Sequence, residues 1–311
     1  MTYGKPYQGS KSKIAKDIIQ ILPPAEYFVD LFGGGGSMSL CALQSNKYNK
    51  IIYNEKEPLI YKAFNMAIRG EFKNENRWIS REEFNNLKTV DPYVAICYSF
   101  GNNLKNYCYS IALEPWKKAL HCARVFKDYS EFEKFGIKSD GSKTDIIKHF
   151  KTYKQKYTKY INDTFSCDIN HIAECEHIER CERLKAISLN TDDKHFGNLQ
   201  SAESLSRLQS AESFNKSYEL VQIPENSIIY CDPPYINTIG YLSEFNHAEF
   251  YDWCRKQKSL VFISEYYMPD DFYKIYTFKR KDIMSNNSKD VIECLYCNKP
   301  YIIKGIQNRL F

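Results

Sequence analysis

The 311-residue sequence holds no apolar run near the length of a membrane span, which excludes a bilayer-crossing helix. The N-terminal stretch MTYGKPYQGSKSK is polar and basic throughout, so no secretory signal is expected. Eleven cysteines in such a chain are expected as free thiols in a reducing compartment rather than as a disulfide framework. A strong charge excess is also missing: 43 Lys and Arg stand against 38 Asp and Glu, a balance that permits a polyanionic partner without demanding one. What is present is a hydrophobic content of 43%, enough to bury a real core and to exclude disorder as the default. Aromatics are abundant, with 25 Tyr and 19 Phe, a surplus that serves core packing or stacking on bases.

The length suits one large α/β domain with a smaller one. In the first part strand and helix alternate. Tyr27–Leu31 reads as a strand, Phe32–Ser37 as a glycine-rich turn, Met38–Gln44 as a helix, Ile51–Tyr53 as a second strand and Pro58–Arg69 as a helix. This order predicts a parallel, doubly wound sheet. From about residue 71 helical segments dominate: Ser80–Lys88, Pro92–Phe100, Pro115–Phe126, Thr144–Ile161, Ile169–Ile187 and Leu199–Ser213. Strands resume at Ser227–Cys231 and Ser259–Ser264, and Ile275–Lys279 with Val291–Cys297 predicts a closing hairpin. The expected organisation is one α/β domain from residues 1–70 and 216–311, interrupted by a helical insertion over 71–215. The hexapeptide LQSAES occurs at 199–204 and again at 208–213; two copies cannot build a solenoid, and a local duplication in a solvent-facing helix is the expected reading.

Two stretches carry chemistry. The first, FVDLFGGGGS (28–37), follows a strand and opens a helix. A phosphate-gripping loop of the G-x-x-x-x-G-K-[ST] kind lacks its lysine here, and the G-x-G-x-x-G spacing counted from Gly34 ends on Ser39. A flexible loop and an adenosine-type ligand without phosphate remain. Asp30, ending the strand, would oppose a phosphate but favour an ammonium. Glu55, in IIYNEKEP (51–58), ends the second strand about twenty residues beyond the glycines, where an acid accepts from both ribose hydroxyls. The second stretch, NSIIYCDPPY (226–235), drives a β-branched run into an acid, two prolines and a tyrosine. Proline cannot continue a ladder, so the strand stops at Asp232 and leaves a carboxylate at the carboxyl end of a central strand, where open α/β sheets place their ligands.

Taken in order, PYQGSKSKIA (6–15), VDLFGGGGS (29–37), YNEKEP (53–58) and YCDPPY (230–235) resemble the Dam-like, or D12, class of DNA adenine-N6 methyltransferases. The resemblance is strong at both ends and thinner from about 128 to 215. It implies a mainly parallel, Rossmann-like S-adenosylmethionine-dependent sheet with the insertion as target-recognition region. It implies methyl transfer from S-adenosylmethionine to N6 of adenine in double-stranded DNA, and no metal. Lys11 matches the lysine of a W-x-G-G-K motif that contacts the cofactor, with Tyr7 as the aromatic wall and Ser10 in place of a glycine. Asp30, Phe32, Gly34 and Gly36 match the motif around the methionine part, and Glu55 takes the ribose acceptor's place. In KSYEL (216–220), Ser217 replaces an acid and Tyr218 matches an aromatic set against the adenine. Asp232, Pro233 and Tyr235 match the catalytic tetrapeptide. The Asp232 carboxylate and the Pro233 carbonyl would each accept one N–H of the amine, localising its lone pair, while Tyr235 offers a stacking face. A base inside a duplex is unreachable, so flipping is implied.

In the insertion, YSFGNNLKNYCYS (98–110) resembles the start of the family's recognition region, and Asn102, Asn103 and Lys105 are expected at base edges or phosphates; a polar turn is the other reading. In KHFKTYKQKYTKY (148–160), Tyr153, Tyr157 and Tyr160 form one helical stripe flanked by lysines including Lys151 and Lys154, either a solvated basic face or a strip along a DNA backbone. His171, Cys175, His177 and Cys181 cannot converge on one zinc ion from a single helix. Cys294 and Cys297 point to opposite faces of their strand, and His247 reads as a helix cap or a core residue. Glu265 and Tyr266 are expected to line the same rim. N4-cytosine or RNA adenine methylation, and a catalytically silent DNA-binding relative, are the alternatives the tetrapeptide leaves open. A monomer in the cytoplasm of a bacterial or phage-infected cell is expected, with a separate restriction endonuclease as a possible partner.

Overall fold

The computed structural model describes residues 10–135, 155, 158–159, 176–187, 211–235, 245–281 and 290–303. These divide into two compact units, one formed by residues 1–70 and 184–311 and the other by 71–183.

The first unit is a seven-stranded sheet in the order β3-β2-β1-β4-β5-β7-β6. Its strands are β1 (Ala25–Asp30), β2 (Tyr48–Asn54), β3 (Glu212–Phe214), β4 (Ser227–Cys231), β5 (Leu260–Glu265), β6 (Tyr273–Lys281) and β7 (Asp290–Cys297). The first five pair in parallel, with Asp30 level with both Tyr53 and Tyr230, and β7 enters antiparallel between β5 and β6. All five residues of β4 are buried, as expected of a central parallel strand covered on both faces. On one face Val29, Ile229, Cys231, Val261 and Ile263 pack with Phe250 and Cys254 of a helix over His247–Lys256. On the other, Phe28, Tyr48 and Tyr230 bring their rings together, with centroids 5.0 and 6.4 Å from Phe28. Successive strand residues alternate between faces, so Asp30 shares the face of Phe28, and Asp232 continues that of Tyr230.

Helices α1 (Ala15–Ile21), α2 (Ser37–Gln44) and α3 (Pro58–Ile68) belong to this unit. Proline at the first helical position starts α3, where its missing N–H costs nothing. The second unit contains α4 (Arg81–Leu87), α5 (Pro92–Cys97), α6 (Glu114–His121) and most of α7 (Glu176–Ala186), within which the boundary between the units falls. A reciprocal capping box between Ser80 and Glu83 starts α4, and the Asp91 carboxylate caps α5. The helix over His247–Lys256 is α8.

Two local expectations fail. The segment expected as helix through Ser213 ends instead in strand β3, where Glu212, Ser213 and Phe214 pair with Ile52, Tyr53 and Asn54. The last two residues of the second LQSAES copy, Glu212 and Ser213, therefore lie in the sheet; its first three residues and the whole first copy lie outside the described residues. His247 opens α8, but the cap is Asn246, whose side-chain oxygen accepts from the N–H groups of Ala248 and Glu249. The expected helix over 144–161 lies mostly outside the described residues, as does the first part of that over 169–187.

Candidate active site

The glycine-rich turn joins β1 to α2, and its geometry is set by rings. A Cβ at Gly36, where φ is +78°, would lie 2.1 Å from the Phe64 ring, and one at Gly33 would lie 2.2 Å from the Tyr53 ring. Tyr53 and Phe64 stack at 4.0 Å, and the Tyr53 hydroxyl donates to the Gly34 carbonyl. Small residues are thus required because β2 and α3 press aromatics against the turn. Glu55 closes it from the other side. Its Oε2 accepts from the Gly34 N–H at 2.8 Å and its Oε1 from the Glu57 N–H at 2.8 Å.

Asp30 is buried at the end of β1. One oxygen, Oδ2, accepts from the Ser39 N–H at 3.1 Å and from the Ser39 hydroxyl at 2.7 Å; the other, Oδ1, is buried without a hydrogen-bond partner among the described residues. Burial pushes its pKa up to about 7, against the opposing pull of the Ser39 hydroxyl, and the charge of Asp232 adds to the rise. An acidic group held this way has one acceptor position to offer a cation.

Asp232 follows β4 and meets Lys11, which stands just before α1. The Lys11 ammonium, almost wholly buried, lies 2.6 Å from Asp232 Oδ2, 3.4 Å from Glu293 Oε1 and 4.9 Å from the centre of the Tyr235 ring. Tyr235 donates its hydroxyl to Glu293 Oε1 at 3.0 Å and meets Tyr266 edge-on at 4.7 Å between centroids. Burial raises the Asp232 pKa to about 6; Lys11 pulls it down and Glu293 pushes it up. His247 donates from Nε2 to the Pro234 carbonyl at 2.8 Å, so it braces the two prolines rather than capping its helix.

Lys11, Asp30, Glu55, Asp232 and Tyr235 thus gather along the carboxyl ends of β1, β2 and β4. Phe32 and Tyr218 lie beside them in an aromatic cluster, 5.5 Å apart, with Phe245, Phe250 and Trp253 around Tyr218. Ser217 hydrogen-bonds Glu219. Tyr7, Lys151 and Lys154 lie outside the described residues.

In the second unit Asn103 turns its own loop: its side-chain oxygen accepts from the N–H groups of Lys105 and Asn106. Asn102 and Leu104 take positive φ there, 59° and 60°. His177, one of the residues weighed against zinc, joins a hydrogen-bonded chain instead. Its Nδ1 meets the Tyr109 hydroxyl, its Nε2 lies 2.8 Å from His121 Nδ1, and His121 Nε2 donates to the Asn76 carbonyl. Among the described residues no group of three His, Cys, Asp or Glu side chains could hold a metal ion, and no helix is long and apolar enough to cross a membrane.

Sequence reasoning missed Glu293 and the role of His247. The signal for Glu293 was available: an acid inside the apolar run VIECLYC must be either at a surface or paired.

A mostly parallel seven-stranded sheet of this order, flanked by helices, is an α/β fold of the Rossmann-like methyltransferase kind. The sequence pattern of the D12 class N6 adenine-specific DNA methyltransferases matches residues 7–180, more than half of the chain, and the protein belongs to that family. The matched span covers Lys11, the glycine turn and Glu55 and ends before Asp232. No curated protein matches the chain significantly.

Proposed function

We propose that this protein methylates N6 of adenine at specific sites in double-stranded DNA, using S-adenosylmethionine and acting on a base swung out of the helix. The single observation that carries the reading is the meeting of Asp232 and Tyr235 with Lys11 at the end of β4, one strand away from Asp30 and the glycine turn. The family implies the cofactor, and the residues fit it. The buried Oδ1 of Asp30, which has no hydrogen-bond partner among the described residues, suits the ammonium of the amino-acid moiety, and the Glu55 carboxylate at the end of β2, beside the glycine turn, suits the ribose hydroxyls. S-adenosylmethionine supplies a methyl group already activated on a sulfonium.

The chain's own task is to position and polarise the amine. An exocyclic amine conjugated to the purine ring is a poor nucleophile. Asp232 Oδ and the Pro233 carbonyl would each accept one of its hydrogens, drawing the lone pair out of conjugation and stabilising positive charge as it develops on nitrogen. That requires an ionised Asp232, which a pKa of about 6 provides at neutral pH. The Tyr235 ring supplies a stacking surface, and the His247 bond to Pro234 keeps the tetrapeptide rigid. The second unit serves as the target-recognition region, in which the turn formed by Asn102, Asn103 and Lys105, held by the Asn103 side chain, meets DNA; the basic stretch bearing Lys151 and Lys154 adds salt-sensitive, sequence-independent affinity. We read the protein as a cytoplasmic monomer.

Transfer of tritiated methyl to unmethylated duplex DNA by the wild type and by Asp232→Ala tests this. Incorporation by the wild type that drops at least about a hundredfold in the variant, with S-adenosylmethionine still bound, is the expected result. Incorporation that survives the substitution refutes the assignment of Asp232.

A further inference from the structure

We propose that Glu293 is a positioning residue of the methyl-transfer site, holding Lys11 and the Tyr235 hydroxyl in place around Asp232 from the reversed strand β7. The inference rests on the proposed reading of the Asp232 site and extends it to a residue from the far end of the sheet.

The geometry carries it. Glu293 has 1% of its surface exposed, in a strand whose neighbours Cys294, Leu295, Tyr296 and Cys297 are all buried. A carboxylate in such a place is retained only with partners. Its Oε1 meets the Lys11 ammonium at 3.4 Å and accepts from the Tyr235 hydroxyl at 3.0 Å. Both belong to the site, since Lys11 holds Asp232 at 2.6 Å and Tyr235 belongs to the same tetrapeptide. Glu293 is directed at no reacting atom. It acts through the two groups that flank Asp232.

Two consequences distinguish this from plain packing. First, Lys11 is shared between two carboxylates. A lysine paired with Asp232 alone would claim that carboxylate and weaken it as an acceptor for the incoming amine. With Glu293 taking part of the ammonium's charge, Asp232 stays basic enough to bind N–H groups. Second, the Tyr235 ring is pinned at its outer edge by the hydroxyl bond, while Tyr266 meets it edge-on. The groups that face Asp232 are Lys11 from ahead of α1, Tyr230 and Tyr235 from β4 and its extension, Asp30 from β1, and Glu293 from β7; of the acids it is Glu293 that most strongly opposes Asp232 ionisation.

The test is the titration of Asp232 in the cofactor-free protein, followed by carbon-13 NMR with labelled aspartate and the resonance assigned with Asp232→Asn. Glu293→Gln keeps an acceptor for the Tyr235 hydroxyl and removes the charge. The expected result is a wild-type midpoint near 6 that falls by about half to one pH unit in the variant. Methyl transfer should fall with it through kcat, about tenfold or more, with the KM for S-adenosylmethionine little changed. Glu293→Asp keeps the charge but withdraws it, so an intermediate midpoint and partial recovery of kcat are expected; it also serves should the Gln variant fail to fold. An Asp232 midpoint that does not move in either variant overturns the proposal. If the midpoint moves as expected but the wild type methylates no DNA, the positioning of Asp232 by Glu293 is upheld and only the methylation reading falls.

Discussion

Replacing Asp30 with Asn should shift the stability of the cofactor-free protein steadily in the variant's favour as the pH rises. The carboxyl is buried, and its pKa climbs from 3.8 to about 7. In the unfolded chain it ionises near 3.8; in the native protein it keeps its proton until about 7. A raised acid of this kind stabilises the fold fully below the unfolded value, and the contribution is lost as pH rises through the native one. By pH 8.5 the native state carries a cost of about 4 kcal/mol from this group, against about 2 kcal/mol at pH 5.5. Asn keeps an oxygen for the Ser39 N–H and hydroxyl but places an NH₂ where Oδ1 had no partner, which costs about 1–3 kcal/mol at every pH. The constant penalty cancels in the comparison that matters. The stability difference between variant and wild type should move in the variant's favour by about 2 kcal/mol between pH 5.5 and 8.5. Urea unfolding followed by fluorescence at the two pH values measures it, and calorimetry with S-adenosylmethionine should show weakened binding in the same variant. A stability difference that is flat with pH would refute the reasoning, because it would mean that Asp30 is not a strained acid awaiting a cation.

Gly36→Ala should lower thermal stability by more than about 1 kcal/mol, since its Cβ would lie 2.1 Å from the Phe64 ring at a φ of +78°; adding Phe64→Leu should recover part of the loss. Tyr109→Phe should cost about 1–3 kcal/mol in unfolding followed by Trp78 fluorescence, because it leaves the buried His177 Nδ1 without its donor.

Much of the parallel sheet was legible because its signals are local. The strand Ser227–Cys231 is a β-branched run stopped by two prolines, and the glycine turn stands between a strand and a helix. Strand β3 was not legible. It is three residues long, sits at the end of a polar repeat, and exists because Ile52 and its neighbours offer a ladder to pair with, a cause that lies 160 residues away. The same limit applies at the site. Asp30, Glu55 and Asp232 stand at strand ends and so read as candidates, whereas Glu293 reaches Lys11 because β7 runs backwards and so presents its early residues at the rim where the parallel strands finish. His247 was read from its place at a helix start, but Asn246 beside it took the cap and left the imidazole for Pro234.

That reversed strand has a consequence for the timing of competence during synthesis. Lys11 leaves the ribosome long before Glu293, yet both belong to one buried cluster. A nascent chain that has not yet produced the β6–β7 pair already holds the glycine turn, Glu55 and the DPPY tetrapeptide, but lacks Glu293 beside its lysine. The pairing of that lysine with Glu293 can form only once translation has passed β7, so on the role proposed for Glu293 the tuning of Asp232 is a late product of synthesis.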